Sequence, residues 1–132
     1  MSDLIYGRGA LCIELTGAVA HAGGEVANVL NPEGEDLIIT RAVLYSTHVS
    51  TAAANLYAGV GVSKVHNATT LVNAVDIVAL TAGTAKNGFA NGDAADSLVI
   101  WDSDEYISVT GSADSSGFAG YLFVEYLHTA TA

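Results

Sequence analysis

The chain is 132 residues long, which predicts a single domain large enough to bury a hydrophobic core of its own. Hydrophobic residues make up 51% of the sequence and charged residues only 14%, and fourteen acidic against four basic side chains give a formal net charge of −10. Phosphate backbones and anionic membranes bind clustered Lys and Arg, so this charge argues against nucleic-acid and membrane-surface partners.

The N-terminal part of the chain predicts two strands and a tight turn. Residues 10–21 alternate with a period of two, and the apolar positions that share a face are Leu11, Ile13, Leu15 and Val19. A short strand is expected at residues 26–30. Residues 31–34 read Asn-Pro-Glu-Gly, a sequence typical of a turn.

Residues 36–49 are the longest strand candidate and are apolar on both faces. One face holds Leu37, Ile39, Val43, Tyr45 and Val49, and the other holds Ile38, Ala42 and Leu44. The C-terminal candidate, residues 119–128, is also apolar on both faces, which fits equally a central strand of the core and a strand with one face at a subunit interface. In a small sandwich only one face packs in the core, so we expect the second face to meet another subunit or a loop. Glu125 would need a partner if buried there, and Arg41 is the obvious candidate.

The remaining elements are shorter. Residues 55–65 alternate again, with an apolar face formed by Leu56, Ala58, Val60 and Val62. We expect a short helix near residues 69–75, capped by Thr69 or Thr70, although residues 76–80 fit a strand equally well. Residues 81–97 are rich in Gly, Ala, Asn and Asp and predict a long loop. Three further strands are expected at 98–101, 105–110 and 119–128.

These segments predict an all-β fold, an antiparallel β-sandwich or jelly roll of about seven or eight strands. The domain would span residues 10–132 and follow an N-terminal arm, residues 1–9. The only cysteine is Cys12, which excludes an intrachain disulfide, and the N-terminus lacks the pattern of a signal peptide. We therefore expect the chain to be made and folded in a cytoplasm.

No group of residues has the spacing of a catalytic or metal site. The histidines are expected to be unlinked surface or interface residues: His21, His48, His66 and His128. Two acidic groups offer calcium ligands but lack a regular ligand pattern, and we expect solvated turns at Asp102, Asp104 and Glu105 and at Asp93 and Asp96. Cys12 is expected to be a small buried hydrophobe. The sequence therefore predicts no catalytic, cofactor-binding or metal-binding residues and no enzymatic activity.

Three stretches of the sequence resemble a known family. They are residues 31–34 followed by 37–44, residues 56–61 and residues 117–127. Their succession of strands and turns resembles the jelly-roll capsid decoration, or cement, proteins of tailed bacteriophages. The resemblance implies a homotrimer on the outer surface of the phage head, bound to the major capsid protein and stabilising the shell. It also implies synthesis in the bacterial host cytoplasm, with no cofactor, nucleic-acid or membrane partner.

Four residues are candidate contacts with the capsid or with a neighbouring subunit. Tyr6 and Arg8 belong to the N-terminal arm, whose position before the first strand suits an anchor. Tyr121 and Phe123 lie on the C-terminal strand, and aromatic residues are enriched at subunit interfaces.

Three other functions compete with this interpretation. A phage tail, baseplate or spike component would also be rich in strands and oligomeric. A carbohydrate-binding jelly-roll module would expose Trp and Tyr side chains on one face or use calcium, whereas Trp101 is the only tryptophan of this chain. A cupin-like metalloenzyme would need closely paired histidines, which the sequence does not contain.

Overall fold

The computed structural model describes residues 8–17, 24–64, 69–78, 83–87 and 98–129, and within them the chain forms nine β-strands in two antiparallel sheets. The strands are β1 (Arg8–Thr16), β2 (Gly24–Leu30), β3 (Leu37–His48), β4 (Asn55–Gly61), β5 (Val72–Asp76), β6 (Ala85–Asn87), β7 (Val99–Trp101), β8 (Tyr106–Gly111) and β9 (Ala119–His128). The predicted all-β sandwich is confirmed. None of the described residues belongs to a helix long and apolar enough to cross a membrane.

The chain passes back and forth between the two sheets, so consecutive strands often belong to different sheets. Sheet A has the order β1-β9-β3, and both β6 and β7 pair with the far edge of β3. Sheet B has the order β2-β8-β4-β5. The short strand β6 lies inside the segment that the sequence predicts as a loop. Since β8 and β9 are central strands, each sheet is completed by residues from the C-terminal quarter of the chain.

The core lies between the sheets and is filled by the inward side chains of each strand. On β9, Leu122, Val124 and Tyr126 are at most 3% exposed. Trp101 and Phe118 are the largest fully buried side chains. Burying each large apolar side chain stabilises the fold by about 1.5–3 kcal/mol, which makes this layer the main source of stability.

The longest strand contains a β-bulge that changes which side chains face the core. The pairing of β3 with β9 shifts between Ile39 and Arg41. The additional residue reverses the alternation, and the buried apolar positions on the two sides of the bulge are Leu37, Ile39, Ala42 and Leu44. The expected division of residues 36–49 into two faces is therefore wrong beyond Ile39. Val43 and Tyr45 lie on the outer face and are half-buried.

The segment expected to form a short helix near residues 69–75 forms strand β5 instead. Val72 and Val75 are both buried, and their separation by three residues imitates one face of a helix. The spacing comes from a bulge, in which two residues of β5 lie opposite one residue of β4. Ala74, one of those two residues, has a φ of 59°. Thr70, expected to cap a helix, accepts the N–H of Val60 through its hydroxyl at 3.2 Å.

The turn between β2 and β3 carries the chain from sheet B to sheet A. Asn31 is buried, and its side-chain oxygen accepts the N–H of Glu33 at 2.9 Å. Its amide nitrogen donates to the carbonyls of Glu35 at 2.8 Å and Trp101 at 3.0 Å. Gly34 has a φ of 71°, which favours glycine. The predicted turn at residues 31–34 is confirmed, and Asn31 ties it to the end of β7.

The first strand begins earlier than the sequence predicts. Strand β1 begins at Arg8, where the arm was expected to extend through residue 9. Arg8 pairs with Leu127 and Gly9 with Tyr126 in the ladder between β1 and β9. Residues 1–7, including Tyr6, lie outside the described residues.

Candidate binding surface

The outward positions of sheet A form a continuous, largely apolar surface, which we call the outer face of sheet A. Pairing registers align the outward residues of β1, β9 and β3 in rows across the sheet. From one end, the rows are Glu14–Tyr121–Tyr45, Cys12–Phe123–Val43, Ala10–Glu125–Arg41 and Leu127–Ile38. Strand β7 extends the last row with Ile100. Most of these positions hold apolar or aromatic residues, where an outer face in water is ordinarily polar.

Several large apolar side chains on this surface are exposed. Phe123 is 41% exposed, Leu127 37% and Ile100 50%. The Tyr121 and Phe123 rings lie side by side, with centroids 5.9 Å apart and planes inclined by 33°. Contiguous apolar surface of this kind marks a site of interaction with another molecule.

The centre of the outer face of sheet A holds one ion pair. Arg41 lies opposite Glu125, and its guanidinium nitrogen is 4.0 Å from the carboxylate oxygen of Glu125. Their side chains are 65% and 42% exposed. The sequence correctly predicts that these residues are partners, but the pair lies at the surface and not in the interior. The two charges leave the middle of the face electrically neutral.

A shallow groove of about 380 Å³ runs along this face over strands β1 and β9. It is lined by Ala10, Leu11, Cys12, Phe123, Val124 and Glu125. Cys12 is exposed on the outer face, so the expectation that it is a small buried hydrophobe is wrong. The inward positions of β1 belong to its alternate residues, Ile13 and Leu15.

The structure brings together two of the four predicted contact residues. Tyr121 and Phe123 are neighbours on the outer face of sheet A. Arg8 lies in β1 at the register position of Leu127, and Tyr6 is outside the described residues. Sequence reasoning missed Val43 and Tyr45, because it placed them with Ile39. The consecutive polar residues Thr40 and Arg41 in an apolar strand are the signal that could have revealed the bulge.

A second group of polar side chains lies where β9 meets the turn between β2 and β3. The hydroxyl of Tyr126 donates to the Glu33 carboxylate at 2.8 Å. His128 Nδ1 is 2.6 Å from the Glu35 carboxylate, and its Nε2 is 3.9 Å from that of Glu33. His128 is therefore not the unlinked histidine that the sequence predicts. His48 is exposed, and His21 and His66 lie outside the described residues.

This group holds the end of β9 against the turn. Burial, together with the hydrogen bond and the charge of Glu33, raises the pKa of Tyr126 to about 12. The Tyr126 ring packs in T-shaped, edge-to-face contacts against Trp101 and His128, with ring centroids 6.4 and 5.7 Å apart. The arrangement fixes the C-terminal strand in place.

The acidic turn after β7 uses carboxylates to accept backbone hydrogen bonds. Glu105 accepts the N–H of Asp102 at 3.0 Å, and Asp36 accepts the N–H of Ser103 at 3.0 Å. In the part of the chain that the structure describes, no group of three or more His, Cys, Asp or Glu side chains is arranged to hold a metal ion. Asp93 and Asp96 lie outside that part.

Trp101 does not contribute to any exposed aromatic surface. Its side chain is fully buried, and its indole N–H donates to the carbonyl of Glu105 at 2.9 Å. On the outer face of sheet A, the aromatic residues are Tyr45, Tyr121 and Phe123, which belong to adjacent strands.

A scan against protein-family models finds no match to this chain, and neither does a search of curated proteins or of solved structures.

Proposed function

We propose that this chain is a structural protein of a tailed bacteriophage, a decoration protein that binds the outer surface of the head as a homotrimer. The observation that carries the proposal is the outer face of sheet A, where Phe123, Leu127 and Ile100 are exposed on a chain with a net charge of −10. An acidic chain that exposes such a surface is suited to bind through shape and apolar contact. The resemblance of residues 31–44, 56–61 and 117–127 to decoration proteins supplies the biological setting.

We also propose that the sandwich has jelly-roll topology. If β6 and β7 are counted as one interrupted edge strand, each sheet has four strands, as in an eight-stranded jelly roll. The first and last strands, β1 and β9, are then neighbours in one sheet, while β2 and β8 are neighbours in the other. This nesting of chain ends supports the proposal.

The proposed mechanism is stabilisation by mass action. A protein that binds the assembled shell and not its free subunits shifts the equilibrium towards the shell. Three copies joined in one particle would bind more tightly than a single copy, because attachment of the first raises the effective concentration of the other two. The partner would be the major capsid protein, and no step requires a cofactor or enzymatic activity.

The location of the chain on the virion tests the proposal. We expect immunogold electron microscopy, with antibodies against the chain, to label the heads of the phage that encodes it. Label on the tail or baseplate would replace the head assignment with the tail-component alternative. Purified particles without label would contradict a virion role altogether.

Heads that lack the chain provide a functional test. We expect them to release DNA at a lower temperature than complete heads, and addition of purified chain should restore the difference. A chain without residues 1–7 tests the proposed anchor: this deletion leaves β1 intact, whereas a longer one would remove Arg8 from the ladder. Unchanged binding of the shortened chain to heads would remove the arm from the proposal.

Carbohydrate binding is a second candidate, favoured by the half-exposed Tyr121 and Phe123 rings beside Tyr45. Aromatic rings on a sheet face can pack against the apolar face of a sugar. Binding to a glycan array that is lost in Phe123→Ala and kept in Val62→Ala would favour this function. Val62 is an exposed apolar residue just after β4, outside sheet A.

A further inference from the structure

We infer that the outer face of sheet A is the contact surface between copies of this chain. The inference rests on the self-association in the proposed function, which does not say which surface the copies share; copies that meet through the same surface form two-fold pairs. A second copy of the chain covers Phe123 and its neighbours, and the oligomer forms in solution without a capsid.

The charge distribution favours a second copy as the partner. Copies that each carry a charge of −10 repel one another unless they meet where carboxylates are few. Acidic residues cluster at the turns, as in Glu33, Glu35 and Asp36. At the centre of the outer face of sheet A, Glu125 is balanced by Arg41. The middle of this surface therefore lets two acidic copies meet without net repulsion between them.

The ion pair on the surface is self-complementary. Arg41 and Glu125 lie side by side at 4.0 Å, and both side chains are substantially exposed. Each therefore has hydrogen-bonding capacity left for the opposite group of another copy. Aromatic residues and Arg are enriched at interfaces, and Phe123, Tyr121 and Arg41 give this face that composition.

The size of the face is sufficient for a specific contact. Strand β9 has ten residues, so the face is about 30 Å long at a rise of ~3.4 Å per residue. Four strand positions at ~4.8 Å give a width near ~19 Å. Two such surfaces in contact bury about 1,200 Å², above the roughly 1,000 Å² expected of a specific interface.

The solution mass of Phe123→Glu tests the inference. The monomer has a mass of 13.5 kDa, and we expect light scattering of the wild-type chain in a dilution series from about 100 µM to give a multiple of this value at high concentration and the Kd from its decline. Phe123→Glu should weaken association by roughly 100-fold or more, because a carboxylate would be buried without a partner. The matched control is Val62→Glu, which adds the same charge at a residue that is 75% exposed elsewhere.

The outcomes separate this inference from the proposed function. A monomeric wild-type chain would overturn the inference while leaving head binding to be judged by electron microscopy. A Kd that Phe123→Glu leaves unchanged, or that Val62→Glu raises equally, would also overturn it. A dimer sensitive to Phe123→Glu would support the surface and remove the trimer from the proposed function.

Cys12 provides an independent readout on the same surface. It is the only cysteine of the chain, it is exposed, and it lies in the same row as Phe123. We expect its reaction with a thiol reagent to be several-fold slower at a chain concentration about ten times the Kd from light scattering than at about one tenth of that Kd, since most copies are associated only at the higher concentration. Phe123→Glu should remove this dependence on concentration. Equal rates at both concentrations in the wild-type chain would contradict the inference.

Discussion

Strands β8 and β9 occupy equivalent places, each in the centre of its sheet, yet their outward sides differ. Both strands send apolar side chains inward, Ile107 and Val109 from β8 and Leu122 and Val124 from β9. Outward, β8 carries Ser108 and Thr110, which are fully buried within the chain. The corresponding outward residues of β9 include Phe123, which is 41% exposed. The comparison teaches that Ser108 and Thr110, in the centre of sheet B, are already covered within the chain, whereas Phe123, in the centre of sheet A, stays available for another molecule.

The largest effect is expected where the two strands are alike. Leu122→Ala on β9 and Ile107→Ala on β8 each remove a fully buried side chain from the core. Each should lower the free energy of unfolding by about 2–5 kcal/mol, from lost burial and a residual cavity. Urea denaturation measures both values. A cost below about 1 kcal/mol for either would show that its strand does not face a packed core.

The buried Tyr126 makes the free energy of unfolding depend on pH, and Tyr126→Phe tests this dependence. The folded pKa of Tyr126 is about 12, above its ordinary value of 10.0, so the folded chain keeps this proton longer than the unfolded chain. The contribution of the protonated Tyr126 hydroxyl to the free energy of unfolding is complete below pH 10 and is lost as pH rises towards 12. The wild-type chain should lose on the order of 2 kcal/mol more than Tyr126→Phe over this range, measured by urea denaturation at fixed pH. Parallel losses in the two proteins would contradict this.

The outward positions of the two strands should respond differently to substitution. The Thr110 hydroxyl is buried and has no hydrogen-bond partner among the described residues. Thr110→Val keeps the shape and removes the unpaired group, so it should stabilise the fold by roughly 1 kcal/mol. Phe123→Thr, at an exposed site, should change the stability of the isolated chain by less than about 1 kcal/mol. Thermal melts of dilute protein test both; destabilisation by Thr110→Val would mean that the hydroxyl has a partner.

The smallest effect is expected from the ion pair on the outer face of sheet A. Arg41 and Glu125 are 4.0 Å apart and exposed, so their coupling in the isolated chain should be below about 0.5 kcal/mol. A double-mutant cycle with Arg41→Ala and Glu125→Ala measures it. Repeating the cycle on the associated protein should give a larger coupling, since association removes water from the pair. Equal values in both states would place the pair outside the contact surface.

Strands whose apolar and polar residues alternate without interruption could be predicted from the sequence. Leu11, Ile13 and Leu15 identify the inward side of β1, and the turns on both sides of β8 follow from Asp-rich and Gly-rich segments. Strands β3 and β5 were harder, because β3 contains two bulges and β5 one, and each bulge adds one residue. A bulge is set by pairing with the neighbouring strand, so strict alternation assigns the wrong faces beyond it, and in β3 only the consecutive polar residues Thr40 and Arg41 mark the first one.

The candidate surface was only half predictable for the same reason. Tyr121 and Phe123 follow from the apolar pattern of a single strand, and the structure places them side by side. Ile100 joins the surface only because β7 pairs with β3, a contact between residues distant in sequence. Likewise, His128 contacts Glu33 and Glu35 because the end of β9 lies against the turn between β2 and β3. Such contacts depend on tertiary pairing, which local patterns do not contain.

The central position of β9 also determines when the chain can fold. Strands β1 and β3 are synthesised early, but each pairs with β9, the last strand to be made. Sheet A therefore cannot close until β9 has been synthesised, and its apolar residues stay in water until then. Pairing between strands that are far apart in sequence is slow, so folding on a timescale of about milliseconds to seconds is expected. During that delay the acidic charge of the nascent chain keeps copies apart until each has its last strand in place.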